Sequence, residues 1–513
     1  MYDLFREYFI LQNKKIGTKI DSEFNLHKGR YKTDFLSLIE TNYNDFFKER
    51  IWEQGIKRAF KGNWGSQANT KKVGVVQDLN RLSWNSFISQ LRKFNLPLDA
   101  SAKVVGPRLL HSSQWGYIDP ADTPDGGNIG LHKHMSITTL ITTGSSSKPM
   151  LEWLRAKTFL KLLPECSFKE LYYFTKVFVN GNWIGSLENP LETIKLIKIY
   201  RRNGLIPCYI SISFLYEMNE LHIYTDAGRL TRPIYYVDKG KISFQRNDVK
   251  DLLFSDNFKW SDIVTGFNEK SISNFNLSNN NFYTISELYD QFKNGNELIE
   301  EELENKQAII DYIDASEEEC SLIASNLTNV KKNKYYTHVE IDPSLLFGVM
   351  GNLVIYPEDN PSTRNAFSCG QSKQAVSLYN TNYQMRIDKM SVVLNYGQVP
   401  LIKSKYLDYV NKEEMPYGVN TIVAIMSYTG YNVEDAILIN AGSIKRGLFN
   451  TTYFTGYESY EETSKISGST INSRFTQIHT LENVRGIKKG FDYTELDEHG
   501  IIKEDTPITE KTV

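Results

Sequence analysis

Lys176-Val177-Phe178-Val179-Asn180-Gly181-Asn182-Trp183-Ile184-Gly185 alternates strand-forming residues around an Asn-Gly pair. Asn-Gly is the strongest short hairpin signal, because both residues tolerate the positive φ that a two-residue turn demands. Leu191 to Tyr200 then reads as a helix, and strands recur at Tyr209 to Phe214, Glu220 to Tyr224 and Ile234 to Val237. Together they predict a small α/β unit that ends near Gly240.

Outward from this unit the pattern changes. Residues 1 to about 75 place apolar residues such as Phe35, Leu36, Leu38, Ile39, Phe46, Phe47 and Ile51 at helical spacing, and the pattern breaks at Gly62-Asn63-Trp64-Gly65. A second, mostly helical stretch with Arg81, Arg92 and Lys93 runs from Val73 to Phe94; Gly, Pro and Asp then dominate from Pro107 to Gly130, marking a long shaped loop. On the C-terminal side, an Asn-rich stretch from Asn268 to Asn281 reads as a flexible insertion. Acids gather from Glu297 to Glu319, where Leu298, Leu303, Ile309, Ile310 and Ile313 form an apolar helical stripe, so a solvated helix face and linker is expected.

The 513 residues exceed one ordinary core and imply several domains. With 41% hydrophobic and 23% charged residues the chain has the balance of a packed protein rather than a disordered one. A net charge of -2 and a pI near 6.5 mean that any nucleic-acid contact must be local. Cys166, Cys208, Cys320 and Cys369 form no CxxC pair, which predicts neither a zinc site nor a disulfide framework and fits a reducing compartment. The start Met1-Tyr2-Asp3-Leu4-Phe5-Arg6-Glu7 has no signal-peptide character, and no apolar run approaches ~18 residues, so neither secretion nor a membrane partner is expected.

Three segments carry candidate chemistry. In Pro107 to Gly127, Pro120 and Pro124 fix φ while Gly126 and Gly127 allow close backbone approach, and Arg108, His111 and Trp115 could offer charge and a stacking surface to a nucleic acid. In Pro357 to Tyr379, a proline-bounded loop leads into a helix whose cap-forming Ser362, Thr363 and Asn365 surround Arg364. An arginine at a helix start suits phosphate, and Lys373 and Gln374 could touch a sugar-phosphate backbone. In Thr421 to Asn440, two β-type apolar runs flank a polar turn, placing Glu434 and Asp435 at the mouth of a strand pair as candidate Mg²⁺ ligands. Each segment alone also reads as ordinary structure: a turn cluster, a capped surface helix, a pair of hairpin acids. Together they supply parts for nucleotidyl transfer, in which metals and cations stabilise the transferring phosphoryl group.

At these residues the chain resembles the second-largest, beta-like subunit of multisubunit DNA-directed RNA polymerases of the eukaryotic, archaeal and large-DNA-virus type. The motifs occur in the family's order: G-N-W-G at Gly62, H-S-S-Q-W-G with P-A-D-T-P-D-G, V-F-V-N-G-N-W-I-G at Val177 and T-D-A-G-R-L-T-R-P from Thr225. They continue with Y-I-D-A-S-E-E-E at Tyr312, T-H-V-E-I-D-P-S-L-L-F-G-V at Thr337, the Arg364 block and G-Y-N-V-E-D with S-I-K-R-G-L-F. The resemblance implies a mixed α/β and β, multidomain fold containing part of a hybrid-binding β-barrel region. Its implied divisions are a protrusion- or lobe-like helical region (1–75), fork-like domain (76–163), external 2-like α/β domain (164–243), external 1-like region with the acidic helix (244–343), first part of the hybrid-binding domain (344–450) and start of a wall-like domain (451–513).

Carried over residue by residue, the resemblance implies that Arg364 binds the triphosphate of the incoming nucleotide and that Arg108, Lys373 and Gln374 lie along nucleic acid. Glu434 and Asp435 would help hold the second, nucleotide-borne Mg²⁺. The first ion belongs to the largest subunit, so that subunit, the remaining segments of the second-largest subunit, other polymerase subunits, DNA template, RNA product and NTPs are the implied partners, with no zinc in this chain. Asp122 and Asp125 stand where glutamates are common, Phe367 where the eukaryotic motif has tyrosine and Ser372 where glycine is customary. Most of the family's protrusion and lobe, and its downstream G-D-K and H-G-Q-K-G motifs, have no counterpart. A split-gene subunit, an interrupted segment and an incomplete gene product all fit. So do a nuclear location and a viral factory or virion. An interaction protein without catalysis and a stand-alone magnesium nucleotidyltransferase are the competing readings.

Overall fold

A computed structural model covers the chain and describes residues 1–48, 50–66, 71–72, 74–245, 260–265, 303–304, 307–333, 335–411, 413–466, 469–481, 484 and 486–513. The N-terminal region is helical, as its periodicity predicts: Tyr2–Leu26, Lys28–Tyr31, Phe35–Phe47 and Ile51–Phe60. Leu4, Tyr8 and Ala59 bury together, as do Tyr31, Leu38 and Phe46. Between Gly74 and Phe94 the helical expectation holds only for Trp84–Leu91. The reason is local. Asn80 folds its side chain onto the Leu82 N–H, and Ser83 caps the helix in a reciprocal box with Ser86.

The hairpin forms where the Asn-Gly pair predicts. Thr175–Val179 and Asn182–Leu187 pair antiparallel, and the turn residues have φ of 49° at Asn180 and 79° at Gly181. Three further strands complete a five-stranded sheet in the order Lys161–Leu162, Asn182–Leu187, Thr175–Val179, Glu220–Tyr224, Ser211–Leu215. One face of this sheet is the main core. Val177, Val179, Leu221 and Ile223 point from it against Ile197 of the helix Pro190–Arg202 and Leu154 of the helix Ser147–Lys157.

A second sheet is built on Leu230–Asp238, which pairs antiparallel with Leu140–Ile141, Lys241–Ile242, Ile310–Asp314 and His338–Val339. Here the expected acidic helix is corrected for residues 310–319; of its earlier part, Leu303 and Glu304 are helical and 297–302 lie outside the described residues. Ile310–Asp314 is a strand with every residue buried, followed by a short helix, Ala315–Glu319, capped by Asp314. The acids are not a solvated face, because arginines from two other elements answer them. Arg201 grips Glu317 with two hydrogen bonds of 2.7 and 2.9 Å, Arg202 holds Asp311 at 2.6 Å, Arg229 holds Asp314 at 2.9 Å, and Arg232 bridges Glu318 and Glu340. Forks of this kind offset the desolvation of both partners. The Asn-rich stretch and Leu298 lie outside the described residues.

The fold is thus mixed α/β and multidomain, as expected. Thr421 to Asn440 contains no strand, which corrects the expected strand pair; Ile422, Val423, Ile425 and Ile437 point into solvent. Residues 382–392 and 452–513 form a separate compact unit. Within it Thr463–Ile466 pairs with Ser469–Asn472, and Leu496 is buried.

Candidate nucleotide and nucleic-acid interface

The Pro107 to Gly130 loop is a chain of tight turns, Gly106–Arg108, Ser112–Gln114 and Gly126–Asn128. Arg108 organises it. Its Nε donates to Val104 O, one terminal nitrogen to Gly127 O and Ile129 O, and the other to Ala100 O and Ala102 O. All five N–H groups of a guanidinium are thereby engaged with backbone, so Arg108 staples the loop that was expected to face nucleic acid. Gly130, at φ 71°, lets the chain pass over Arg108, whose backbone a Cβ would strike. Trp115 stays half-exposed and donates to Glu340, and His111 bonds Ser113.

The loop forms one wall of an open cleft of about 760 Å³ whose other walls include Lys93, His132, Phe367, Gln371, Lys373 and Gln374. At its base Asp122, buried, accepts from Lys373 Nζ at 2.5 Å across 251 residues of sequence. His134, also buried, lies with Nε2 3.1 Å from the same ammonium and Nδ1 2.9 Å from Asp122 O. Burial lowers the His134 pKa, against the opposing pull of the Asp122 charge. Asp119 next door is pushed up to about 6 by burial and by Asp122, although it accepts N–H bonds from Ala121, Asp122 and Gly348. Lys373 is therefore a paired cation at the cleft, while Gln374 lines the cleft without a charge partner to satisfy. Sequence reading singled out Lys373 and Asp122 separately and missed His134, since nothing in a single chain announces a contact over such a separation.

Lys373 and Gln374 end the helix Ser362–Gln374, and Arg364 lies in its first turn. The helix is present as predicted but the caps are not. Pro361 occupies the cap position, no side chain caps the first turn, and Asn365 instead turns back to Pro357 O at 2.8 Å. The first N–H groups thus face outward with the positive end of the helix dipole. Arg364 is exposed and sits 5.4 Å from the Phe367 ring. The other end of the helix is pinned: Ser83 Oγ donates to Lys373 O, and Asn85 donates to Ser372 O. Ser372 itself bonds back to Ser368 O.

Glu434 and Asp435 lie in an exposed turn with φ of 54° and 64°. Non-glycine residues in the left-handed region are held there at a cost and cluster at functional turns. Asn432 fastens the turn by donating to Met426 O. Among the described residues no group of three or more metal-ligating side chains assembles. Two adjacent, exposed carboxylates nevertheless fit part of a Mg²⁺ shell, the ion that takes one or two carboxylates and completes its octahedron with phosphate and water oxygens. Lys373 and Gln374 thus share the cleft with Asp122, whereas no hydrogen bond or ion pair among the described residues joins Arg364 to Glu434 or Asp435.

Sequence comparison matches this architecture to three family models: RNA polymerase Rpb2, domain 3, at residues 77–141; domain 4 at 177–238; and domain 6 at 350–513. The chain is 33% identical over 473 residues to DNA-directed RNA polymerase II subunit RPB2 of Encephalitozoon cuniculi, covering 90% of this chain and 37% of that protein. It is 31% identical to DNA-directed RNA polymerase II subunit 2 of Arabidopsis thaliana, covering 92% and 37%. It is 30% identical to DNA-directed RNA polymerase subunit Rpo2 of Sulfolobus acidocaldarius, covering 99% and 41%. These matches define the class as second-largest subunits of multisubunit, DNA-directed RNA polymerases. Within that class the chain belongs to the Rpb2 family of second-largest subunits, and it spans about 37% of the length of the first relatives it matches.

Proposed function

We propose that this chain contributes the nucleotide- and hybrid-facing part of a second-largest subunit to template-directed RNA synthesis. It works with a largest subunit that holds the first metal ion, with the remaining segments of its own subunit and with other polymerase subunits, on a DNA template, an RNA product and NTPs. Arg364 meets the triphosphate of the incoming nucleotide, Glu434 and Asp435 help hold the Mg²⁺ that the nucleotide carries, and Lys373 and Gln374 lie along the hybrid. Arg108 acts on nucleic acid only indirectly, through the loop it holds.

The observation that supports this reading best is the helix Ser362–Gln374. One end is uncapped and carries an exposed arginine, and the other carries a lysine and a glutamine into a cleft walled by a proline-fixed loop. An uncapped helix start and an exposed guanidinium beside it suit an anion, and the cleft runs along the same helix, from Thr363 to Gln374. The test is assembly of the chain with a largest subunit and polypeptides covering the unmatched parts of its relatives, followed by single-nucleotide addition. Arg364→Ala and Asp435→Ala are each expected to slow addition by roughly 100-fold, the effect of removing one preorganised charge stabiliser. Wild-type rates in both variants would overturn the assignment.

A further inference from the structure

Asp122 from the loop, His134 from the strand His132–His134 and Lys373 from the distant helix Ser362–Gln374 meet at the cleft base. The lysine has three N–H groups. One goes to Asp122 Oδ1 and one to His134 Nε2, which leaves one for a ligand in the cleft. The histidine can accept only while neutral, with its proton on Nδ1 and donated to Asp122 O. We propose that Asp122 and His134 are positioning residues for Lys373, holding its ammonium neutralised and aimed into the cleft until a nucleic-acid phosphate displaces the Asp122 carboxylate. The proposal rests on the polymerase reading and extends it.

Three features support an exchange rather than a permanent bridge. Lys373 is one-fifth exposed while Asp122 is nearly closed off, so a ligand can reach the cation without opening the core. Lys93, paired in register with His134 and lining the same cleft, adds a second positive charge that would repel an unpartnered Lys373. The main chain at Lys373 is held independently by Ser83, so loss of the carboxylate frees the ammonium without releasing the helix. The charged groups acting on His134 are Asp122 from the loop, Lys93 from the neighbouring strand and Lys373 from the helix; Asp119 donates its main-chain N–H to His134 O, and Cys369, one turn before Lys373, lies by Asp122 and Asp119. Protonating His134 turns its Nε2 into a donor aimed at an ammonium and ejects Lys373. With its pKa lowered by burial, this occurs below the ordinary histidine value of 6.5.

The test uses the assembled polymerase and a double-mutant cycle on nucleotide addition. Asp122→Asn is expected to slow addition about tenfold, the worth of one charge-assisted bond, with little change in the KM for nucleotide. In a Lys373→Gln background the same change is expected to add nothing, because Asp122 acts through the lysine. His134→Gln, which can still donate and accept, is expected to run more slowly but to lose the acidic limb of the pH–rate profile that wild type shows. Additive losses from Asp122→Asn and Lys373→Gln, or an acidic limb that persists in His134→Gln and so belongs to Asp119, would overturn the proposal. If Asp122→Asn does not assemble, the His134→Gln profile decides alone. Arg364→Ala separates the two readings: a normal rate there sinks the nucleotide assignment, whereas additivity in the cycle with a slow Arg364→Ala sinks only the latch.

Discussion

Arginine 108 and arginine 201 look alike in the sequence, yet the fold uses both as structural ties and leaves Arg364 exposed. The difference lies in what surrounds each. Arg108 meets a ring of loop carbonyls, and Arg201 meets Glu317 and Asp311 in the core. Arg108→Lys is expected to increase protease cleavage of the 107–130 loop, since three donors cannot serve five carbonyls, and to leave the salt dependence of nucleic-acid binding unchanged. Arg201→Ala, which leaves Glu317 only the longer contact to Lys198 at 3.5 Å, is expected to cost about 3–5 kcal/mol in denaturant unfolding, and a double change of Arg201 and Glu317 to leucines much less. The acids also set an acid limit. Burial alone would raise Asp311 and Glu317, but Arg202 and Arg201 outweigh it for the first, and Arg201 and Lys198 for the second, so both carboxyls lie below their ordinary range. Their contribution is full above the ordinary carboxylate range and is lost as pH falls through the folded values. Asp119 has the opposite sign: with its pKa raised to about 6, its contribution is present below its ordinary value and lost as pH rises through 6.

At the level of elements, what was legible was what is locally encoded. Asn180-Gly181 fixed a hairpin because the turn chemistry admits few alternatives, and the helix read at 191–200 forms as Pro190–Arg202, with Pro190 in its first turn. Ile310–Asp314 was misread because a buried strand flanked by acids and a charged amphipathic helix look alike until the arginines that neutralise the acids are seen. The sheet yields a ranked prediction. Gly181 has open space around a missing Cβ, so Gly181→Ala is expected to cost only the left-handed backbone penalty, about 1–2 kcal/mol. Gly185 faces the Lys161 carbonyl across the sheet, and Gly185→Ala is expected to cost more and to loosen the edge strand Lys161–Leu162. Thermal melts of the two variants check the order.

For the molecule as a whole, the segment that read as two β-type runs around a polar turn, Thr421 to Asn440, is where the chain leaves apolar side chains in water. Ile422 and Ile425 are fully exposed, Val423 and Ile437 largely so, and Leu438 is half-exposed. Its β character was legible, but pairing is not a local property, and a run of this kind forms strands only when a neighbour supplies the other half of each hydrogen bond. The relatives extend well beyond the matched region, so the neighbour can come from that additional length. The expected outcome is specific. In the isolated chain, backbone amides of residues 422–426 and 437–439 exchange rapidly; on co-purification with a polypeptide covering the unmatched part of a relative they become protected, and Glu434 and Asp435 are thereby held on a rigid turn. Ile425→Lys in the isolated chain should shift stability by less than about 0.5 kcal/mol, as for any exposed position, yet abolish that protection. Equal protection in the variant would mean that the apolar run is covered by something other than a new strand, and the acids would then need a different support.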